Sequence, residues 1–264
     1  MSSPEVPGGV AAKSPLLRAG VVGSGRAEFA PFLRALGIEV VPVDDSPDFV
    51  VCYGGDGSLL GADRDFPTTP KLPIRRNDLY EKCPVHRDEA VFERVLSGNQ
   101  EIVRLPRLTA IAGPVKLHAI NDVVFHNAKP TSAVRYRIRI DDAPYSEEIV
   151  GDGLVAATPF GSSAYYRSIT NSVFRVGMGV AFNNSTESVN HLVLDPASVV
   201  LVTVTRGPAV VLADNSPEEI EMEEGDELVI RFSSQNAEIW ELGTLTCQDC
   251  KVRETGRPAG FRHV

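Results

Sequence analysis

An apolar run from Asp48 to Tyr53 stops at Gly54-Gly55-Asp56-Gly57 and passes straight into Ser58-Leu59-Leu60. This is a strand turning into a helix through a loop of three glycines and one acid. Glycine loses more backbone entropy on folding than any other residue, so such a loop is poor packing material. It serves where backbone must come close to a ligand. Unpaired amides at a helix start, aided by the helix dipole, receive anionic oxygens such as those of a phosphate. Asp56 then stands beside the anion as a proton acceptor or as a contact through a metal ion. The plainer alternative is a tight turn in which Asp56 caps the helix. The loop's place at the carboxyl end of a strand favours the ligand reading, because open α/β sheets bind ligands there.

The segments around the loop read as alternating strand and helix. Leu17 to Val22 is a short apolar strand that runs into Gly23-Ser24-Gly25. Phe29, Phe32, Leu33 and Leu36 recur at helical spacing, and Gly37 follows as a stop. Ile38–Val43 and Asp48–Tyr53 are two further strands, parted by Asp44-Asp45-Ser46-Pro47. A second helix is expected over Asp88–Leu96, closed by Gly98. Strand, helix and strand at this spacing predict a parallel sheet with helices on its faces.

After Pro106 the pattern changes to strands. Val134, Tyr136, Ile138 and Ile140 alternate with Arg135, Arg137 and Arg139, which predicts a half-buried strand with a wet basic face. Short apolar runs follow at Leu154–Ala157, Val199–Val204, Val210–Ala213, Leu228–Phe232 and Ala237–Leu242. A turn or two of helix is expected after Ser162. The fold class that results is α/β plus all-β, with a Rossmann-like parallel domain followed by a β-sandwich-like one. The expected division is 1–106 and 107–250, with 251–264 returning to the first domain.

Composition narrows the function. The chain has 264 residues and a net charge of -9, and seven acids with no base lie between Glu218 and Glu227. That patch reads as a solvated hairpin turning at Gly225-Asp226. The rest of the surface is nearly balanced, which speaks against duplex nucleic acid as a partner. No apolar run approaches the ~20 residues of a membrane span. Met1 to Ser14 reads as a frayed tail without the core of a secretory signal. Together these point to the cytoplasm, where the four cysteines would be thiols or metal ligands rather than disulfides.

Three segments in order carry a family likeness: Gly54-Gly55-Asp56-Gly57, Ala119-Ile120-Asn121-Asp122-Val123-Val124, and Gly151-Asp152-Gly153 through Thr158-Pro159-Phe160-Gly161-Ser162-Ser163-Ala164-Tyr165. In this the chain resembles the NAD kinases. The resemblance implies phosphoryl transfer from ATP, or from polyphosphate, to the adenosine-ribose 2′-hydroxyl of NAD, giving NADP. It implies Mg²⁺ with the nucleotide, Asp56 as proton acceptor, and a homodimer or homotetramer. By the same resemblance Gly55, Gly57, Asn121, Asp122, Asp152, Ser163, Ala164, Tyr165 and Ser168 line the substrate site.

The chain also departs from the family. Pro70 to Asn77 stands where a Gly-rich segment is usual, Asn183-Asn184-Ser185 replaces a Pro-His segment, and Asp214-Asn215-Ser216 replaces Asp-Gly-Gln. These departures keep two alternatives open: a kinase for another nucleotide or nucleoside, and a non-catalytic nucleotide sensor. Arg75 and Arg76 are either phosphate ligands or a solvated turn.

Two signals stand apart. Gly23-Ser24-Gly25 is half of a dinucleotide fingerprint whose third glycine is Glu28. Cys83-Pro84-Val85-His86 and Cys247-Gln248-Asp249-Cys250 together supply what a tetrahedral structural zinc requires. Zinc there demands that the chain's end cross back to the first domain, as NAD kinase chains do. The alternative is ordinary thiols and a surface histidine.

Overall fold

The computed structural model describes residues 16–76 and 81–250. The tail before Leu16, Asn77 and the segment 251–264, which the sequence expects to return to the first domain, therefore lie outside the described residues. The first part of the chain forms β1 (Arg18–Val22), α1 (Arg26–Ala35), β2 (Glu39–Val40), β3 (Phe49–Tyr53), α2 (Asp56–Asp65), β4 (Lys71–Ile74) and α3 (Asp88–Leu96). β1 pairs in parallel with β2 and β3, and β3 in parallel with β4. Every residue of β3 is buried, as expected of a strand covered on both faces. Its alternate side chains divide between two cores. Phe49, Val51 and Tyr53 join the helices α1 and α3, while Val50 and Cys52 join α2.

The chain continues through β5 (Ile102–Ala112), β6 (Val115–Ala119), β7 (Asp122–Asn127), β8 (Val134–Ile140), β9 (Ala143–Pro144), β10 (Ile149–Gly151) and β11 (Gly153–Ala157). Then come α4 (Tyr165–Thr170), β12 (Met178–Asn183), β13 (His191–Leu194), β14 (Val200–Arg206), β15 (Ala209–Ala213), β16 (Glu219–Met222), β17 (Glu227–Trp240) and α5 (Gly243–Thr246). One sheet runs β13-β12-β11-β7-β15-β16. The other runs β10-β8-β14-β17-β4-β3-β1-β2, so β17 joins the antiparallel strands to the parallel ones. The inner faces of the two sheets meet over a core that includes Leu108, Phe125, Tyr136, Val180 and Val202. This is the expected α/β plus β-sandwich class. The expected boundary at residue 106 falls within β5.

Three expectations differ from the structure, and one strand was not foreseen. The runs Leu228–Phe232 and Ala237–Leu242 are one strand, β17, with a register shift between Phe232 and Asn236. Ser233, Ser234 and Gln235 interrupt the apolar pattern there, and the bulge carries the ladder across them. Glu218 to Glu227 is not a hairpin. β16 pairs with β15, whereas β17 lies in the other sheet, so the turn crosses between layers. Only Glu39–Val40 of the run Ile38–Val43 is strand, because Pro42 ends it and a 3₁₀ turn, Val43–Asp45, follows.

The unforeseen strand is β4, which the sequence hides because it contains Pro73. Gly54 N–H donates to Ile74 O at 2.9 Å and Val50 N–H to Pro70 O at 2.8 Å, so residues 70 and 74 face β3. Pro73 faces the other side, where its carbonyl accepts from Thr244 Oγ1 at 2.6 Å. The missing N–H thus costs no ladder bond with β3.

A buried ionic triad ties α2 to the sheet. Asp63 Oδ1 lies 2.7 Å from Lys71 Nζ and 2.6 Å from Arg107 Nη2, and Arg107 Nε donates to Asp63 Oδ2 at 2.7 Å. Arg107 also donates to the carbonyls of Asn236 and Pro67, so two more of the guanidinium's five donors go to backbone.

Candidate functional site

The loops that follow β1, β3 and β4 lie at one edge of the parallel sheet. Asp56 is the first residue of α2 and is exposed, with Gly55 before it and Gly57 after it equally open. The loop Gly23-Ser24-Gly25 packs directly on this one. Gly23 has φ +107°, and a Cβ there would lie 2.1 Å from Tyr53 O, so only glycine lets the two loops meet. Arg76 Nη1 donates to Ser24 Oγ at 3.3 Å, and Arg75 Nη2 to Leu245 O at 3.0 Å. The half fingerprint thus belongs to the same edge as Asp56.

The second sheet contributes the opposite wall from the start of β7 and the ends of β11 and β15. Register places Asp122 opposite Ala157 and Val123 opposite Ala213. Asp214, just past β15, accepts the amides of Ile120 and Asn121 at 2.8 Å and of Asp122 at 3.0 Å. Thr158 Oγ1 donates to Ile120 O at 2.5 Å and accepts from Gly161 N–H at 3.0 Å, so the glycine-rich segment is anchored to the Asn121-Asp122 corner. The two walls touch through Asn215, whose Nδ2 donates to Gly57 O at 3.0 Å.

Tyr165 links this corner to the rest of the expected site. It opens α4, after the 3₁₀ turn Gly161–Ser163 and Ala164. Its backbone N–H lies toward the Asp122 carboxylate and pulls that group's pKa down, and its hydroxyl accepts from Asn183 Nδ2 at 3.3 Å. Asn184 Nδ2 donates to Asp152 Oδ2 at 2.8 Å. Ser168 Oγ donates to Tyr165 O at 2.7 Å, and Tyr165, Ser168, Asn183 and Asn184 line one cavity.

The structure therefore gathers the predicted residues into two groups. Asp56, Gly55 and Gly57 stand near Asn121 and Asp122, with Asn215 as the connecting contact. Asp152 and Ser168 stand near Asn183 and Asn184, with Tyr165 reaching from one group to the other. The Asp214-Asn215 pair, the Asn183-Asn184 pair and Ser24 are the polar contributors that the sequence did not single out as site residues. Their signal was present as departures from a pattern, and only the fold shows what they touch. Cys83, His86, Cys247 and Cys250 converge elsewhere, with their ligand atoms within 4.8 Å of one another.

Burial gives the Asn121-Asp122 corner unusual electrostatics. Asp122 is 6 % exposed, and its pKa rises to about 7 through burial first and the Asp214 carboxylate second, against the Tyr165 amide. Burial raises Asp214 to about 6 although three amides pull it down. Raised values favour the protonated carboxyls in the folded state, so this contribution to stability is full below about pH 4 and fades as pH rises through about 7. Urea unfolding of the ligand-free protein should give a free energy that falls between about pH 5 and about pH 8, and Asp122→Asn should remove about 2–3 kcal/mol of that fall. Parallel curves for the two proteins would show that Asp122 is not the group titrating.

Known proteins share both sequence and fold with this chain. Residues 120–242 match the ATP-NAD kinase C-terminal domain. An NAD kinase of Brucella suis biovar 1 (strain 1330) is 36% identical over 126 residues, which cover 46% of this chain and 49% of that protein. An NAD kinase of Psychrobacter arcticus is 31% identical over 186 residues, 64% of this chain and 57% of the relative. The chain thus spans about half the length of the curated relatives it matches. Two crystal structures share the fold. Yeast NADH kinase complexed with NADH superposes with a TM-score of 0.79 at 17% identity, covering 96% of this chain and 91% of the other. An NAD kinase from Archaeoglobus fulgidus in complex with ATP gives a TM-score of 0.72 at 21% identity, covering 91% and 100%. The domain match lies on the strands that build the Asn121-Asp122 corner, so this part of the chain is similar to the C-terminal domain of the ATP-NAD kinases.

Proposed function

We propose that this protein is an NAD kinase, transferring the terminal phosphoryl group of ATP to the adenosine-ribose 2′-hydroxyl of NAD to give NADP and ADP. One observation carries the reading. An exposed carboxylate, Asp56, opens a helix inside a glycine loop, and that loop is pinned through Asn215 to the corner that holds the buried Asp122 and the half-buried Asp214. A loop of this kind offers amides to phosphates, and the corner offers acceptors to ribose hydroxyls.

In this reading Asp56 takes the 2′-hydroxyl proton as the oxygen attacks the terminal phosphorus and the bond to the ADP oxygen breaks. A sugar hydroxyl is a weak nucleophile, so a placed carboxylate matters. Asn121, Asp122, Tyr165 and Ser168 hold the dinucleotide, with Ser163 and Ala164 shaping the turn beneath it and Asp152 held ready by Asn184. Mg²⁺ suits this site, because a carboxylate at a phosphate loop is the hard oxygen donor it prefers. When bound with ATP it supplies charge neutralisation on the triphosphate.

The reading includes a cytoplasmic location and a homodimer or homotetramer. No helix among the described residues is long and apolar enough to cross a membrane. Val176, Val189 and Val193, on and beside edge strand β13, are large apolar side chains left exposed, as a subunit contact would require. The test is direct. Purified protein with Mg²⁺, ATP and NAD should yield NADP and ADP in equal amounts by chromatography. Turnover only with polyphosphate, or only with another nucleoside, would move donor or acceptor while keeping the mechanism. Bound NAD without turnover on any of these would replace the kinase by a sensor.

A further inference from the structure

We propose that Cys83, His86, Cys247 and Cys250 form a structural zinc site that clamps the end of the described chain onto the parallel-sheet half of the molecule. In a tetrahedral site with Zn–S of about 2.3 Å and Zn–N of about 2.0–2.1 Å, ligand atoms stand about 3.8 Å apart for two sulfurs and about 3.6 Å for sulfur and nitrogen. Cys83 Sγ and Cys247 Sγ are 3.9 Å apart, and Cys250 Sγ and His86 Nδ1 are 3.6 Å apart. Cys83 Sγ and His86 Nδ1 are closer, at 3.1 Å, and all four atoms fall within 4.8 Å. Four ligands at these spacings outline a tetrahedron rather than a pair of disulfides, whose sulfurs would be about 2.05 Å apart.

Local structure explains how each pair is presented. Cys83 precedes the 3₁₀ turn Pro84–His86, and His86 N–H donates to Cys83 O at 3.0 Å, which folds Sγ and Nδ1 to one side. Cys247 closes α5, donating its N–H to Gly243 O at 2.9 Å. Gly243 is where α5 meets the histidine, since a Cβ there would lie 2.8 Å from His86 Nε2. The ring is held with Nδ1 toward the sulfurs. Around the ligands, Cys83 N–H points at Cys250 Sγ, 3.4 Å away, the kind of outer hydrogen bond that steadies a thiolate on a metal. Cys83 and Cys250 are each 5 % exposed, and four protein ligands fill the tetrahedron. A closed set of this kind is structural, because a catalytic zinc keeps a position for water or substrate.

The clamp joins residues 167 apart in sequence. It holds α5 where Thr244 and Leu245 contact Pro73 and Arg75, at the edge that carries the glycine loops. Nothing in this assignment depends on the kinase reading.

Metal analysis of the full chain, purified and exchanged against a weak chelator, should find one zinc per chain. Cys247→Ser should lose that zinc, whereas Cys52→Ala, at a buried thiol in β3, should retain it. Stripping zinc with a strong chelator should lower the Tm by roughly 10 °C, and adding zinc back should restore it. Cobalt(II) put in place of zinc should show the intense visible bands of a tetrahedral thiolate-rich site. This cobalt spectrum decides the matter even if Cys247→Ser does not fold. Zinc well below one per chain, zinc retained by a folded Cys247→Ser, an unmoved Tm after stripping, or a pale octahedral cobalt spectrum would each overturn the assignment.

Discussion

Asp56→Asn is expected to lower kcat by about 10²–10⁴-fold, the range that a placed general base contributes. The amide keeps the size of the carboxylate and its place at the head of α2, but it cannot accept the proton of a ribose hydroxyl. Asp56 is exposed, and no hydrogen bond of its side chain fastens the loop, which stands on Gly54 N–H to Ile74 O and on Asn215 Nδ2 to Gly57 O. Fold and dinucleotide affinity should therefore survive. The measurement is a pair: NADP formation at saturating substrates, and NAD binding by calorimetry. Lost turnover with binding retained supports the assigned role. Turnover within a few-fold of the wild type would remove Asp56 from the chemistry.

Asp63→Asn is expected to cost about 3–5 kcal/mol of stability, because removing one member of a buried ionic group leaves its partners uncompensated. Asp63 serves both Lys71 and Arg107, and all three side chains are at most 5 % exposed. Lys71 already loses proton affinity through burial, with Asp63 the chief group restoring it. Without that carboxylate the lysine should release its proton or the pocket should open to water. Chemical unfolding followed by fluorescence of Trp240 reads the loss, since this indole packs on Phe49 of β3 with ring centroids 5.1 Å apart. A change below about 1 kcal/mol, the scale of an exposed ion pair, would mean that water reaches the triad. The triad lies at the far end of α2 from Asp56, so a destabilised variant should also hold the glycine loop less firmly.

Much of the site was legible because its signals are local. The glycine loop reads from Gly54 to Gly57 alone, since a strand, a helix and the backbone approach between them are all written within a dozen residues. The helix expected over Asp88–Leu96 has those bounds, and Gly98 at φ +71° is part of its stop. The alternation of Val134 to Ile140 likewise became β8, with Arg137 and Arg139 exposed. Each of these depends on a period or a conformation that neighbouring residues impose on one another.

The misread elements depend on distant partners. β4 was hidden because Pro73 argues against a strand until one knows that its face lacking an N–H turns toward α5 rather than β3. The acid-rich turn was taken for a hairpin because nothing near Gly225 says that β16 and β17 enter different sheets. Asp214 gave no local sign that it would gather three amides from residues more than ninety positions earlier. Sequence alone thus marked out the glycine loop, the class of fold and the four residues suited to zinc, because backbone conformation and side-chain chemistry are properties of short stretches. Tertiary structure alone decided that β17 joins the two kinds of sheet, that Tyr165 spans the two halves of the site, and that Cys83 meets Cys250. Those outcomes come from packing whole apolar faces against each other, and the energy that selects them is shared by residues far apart in the chain.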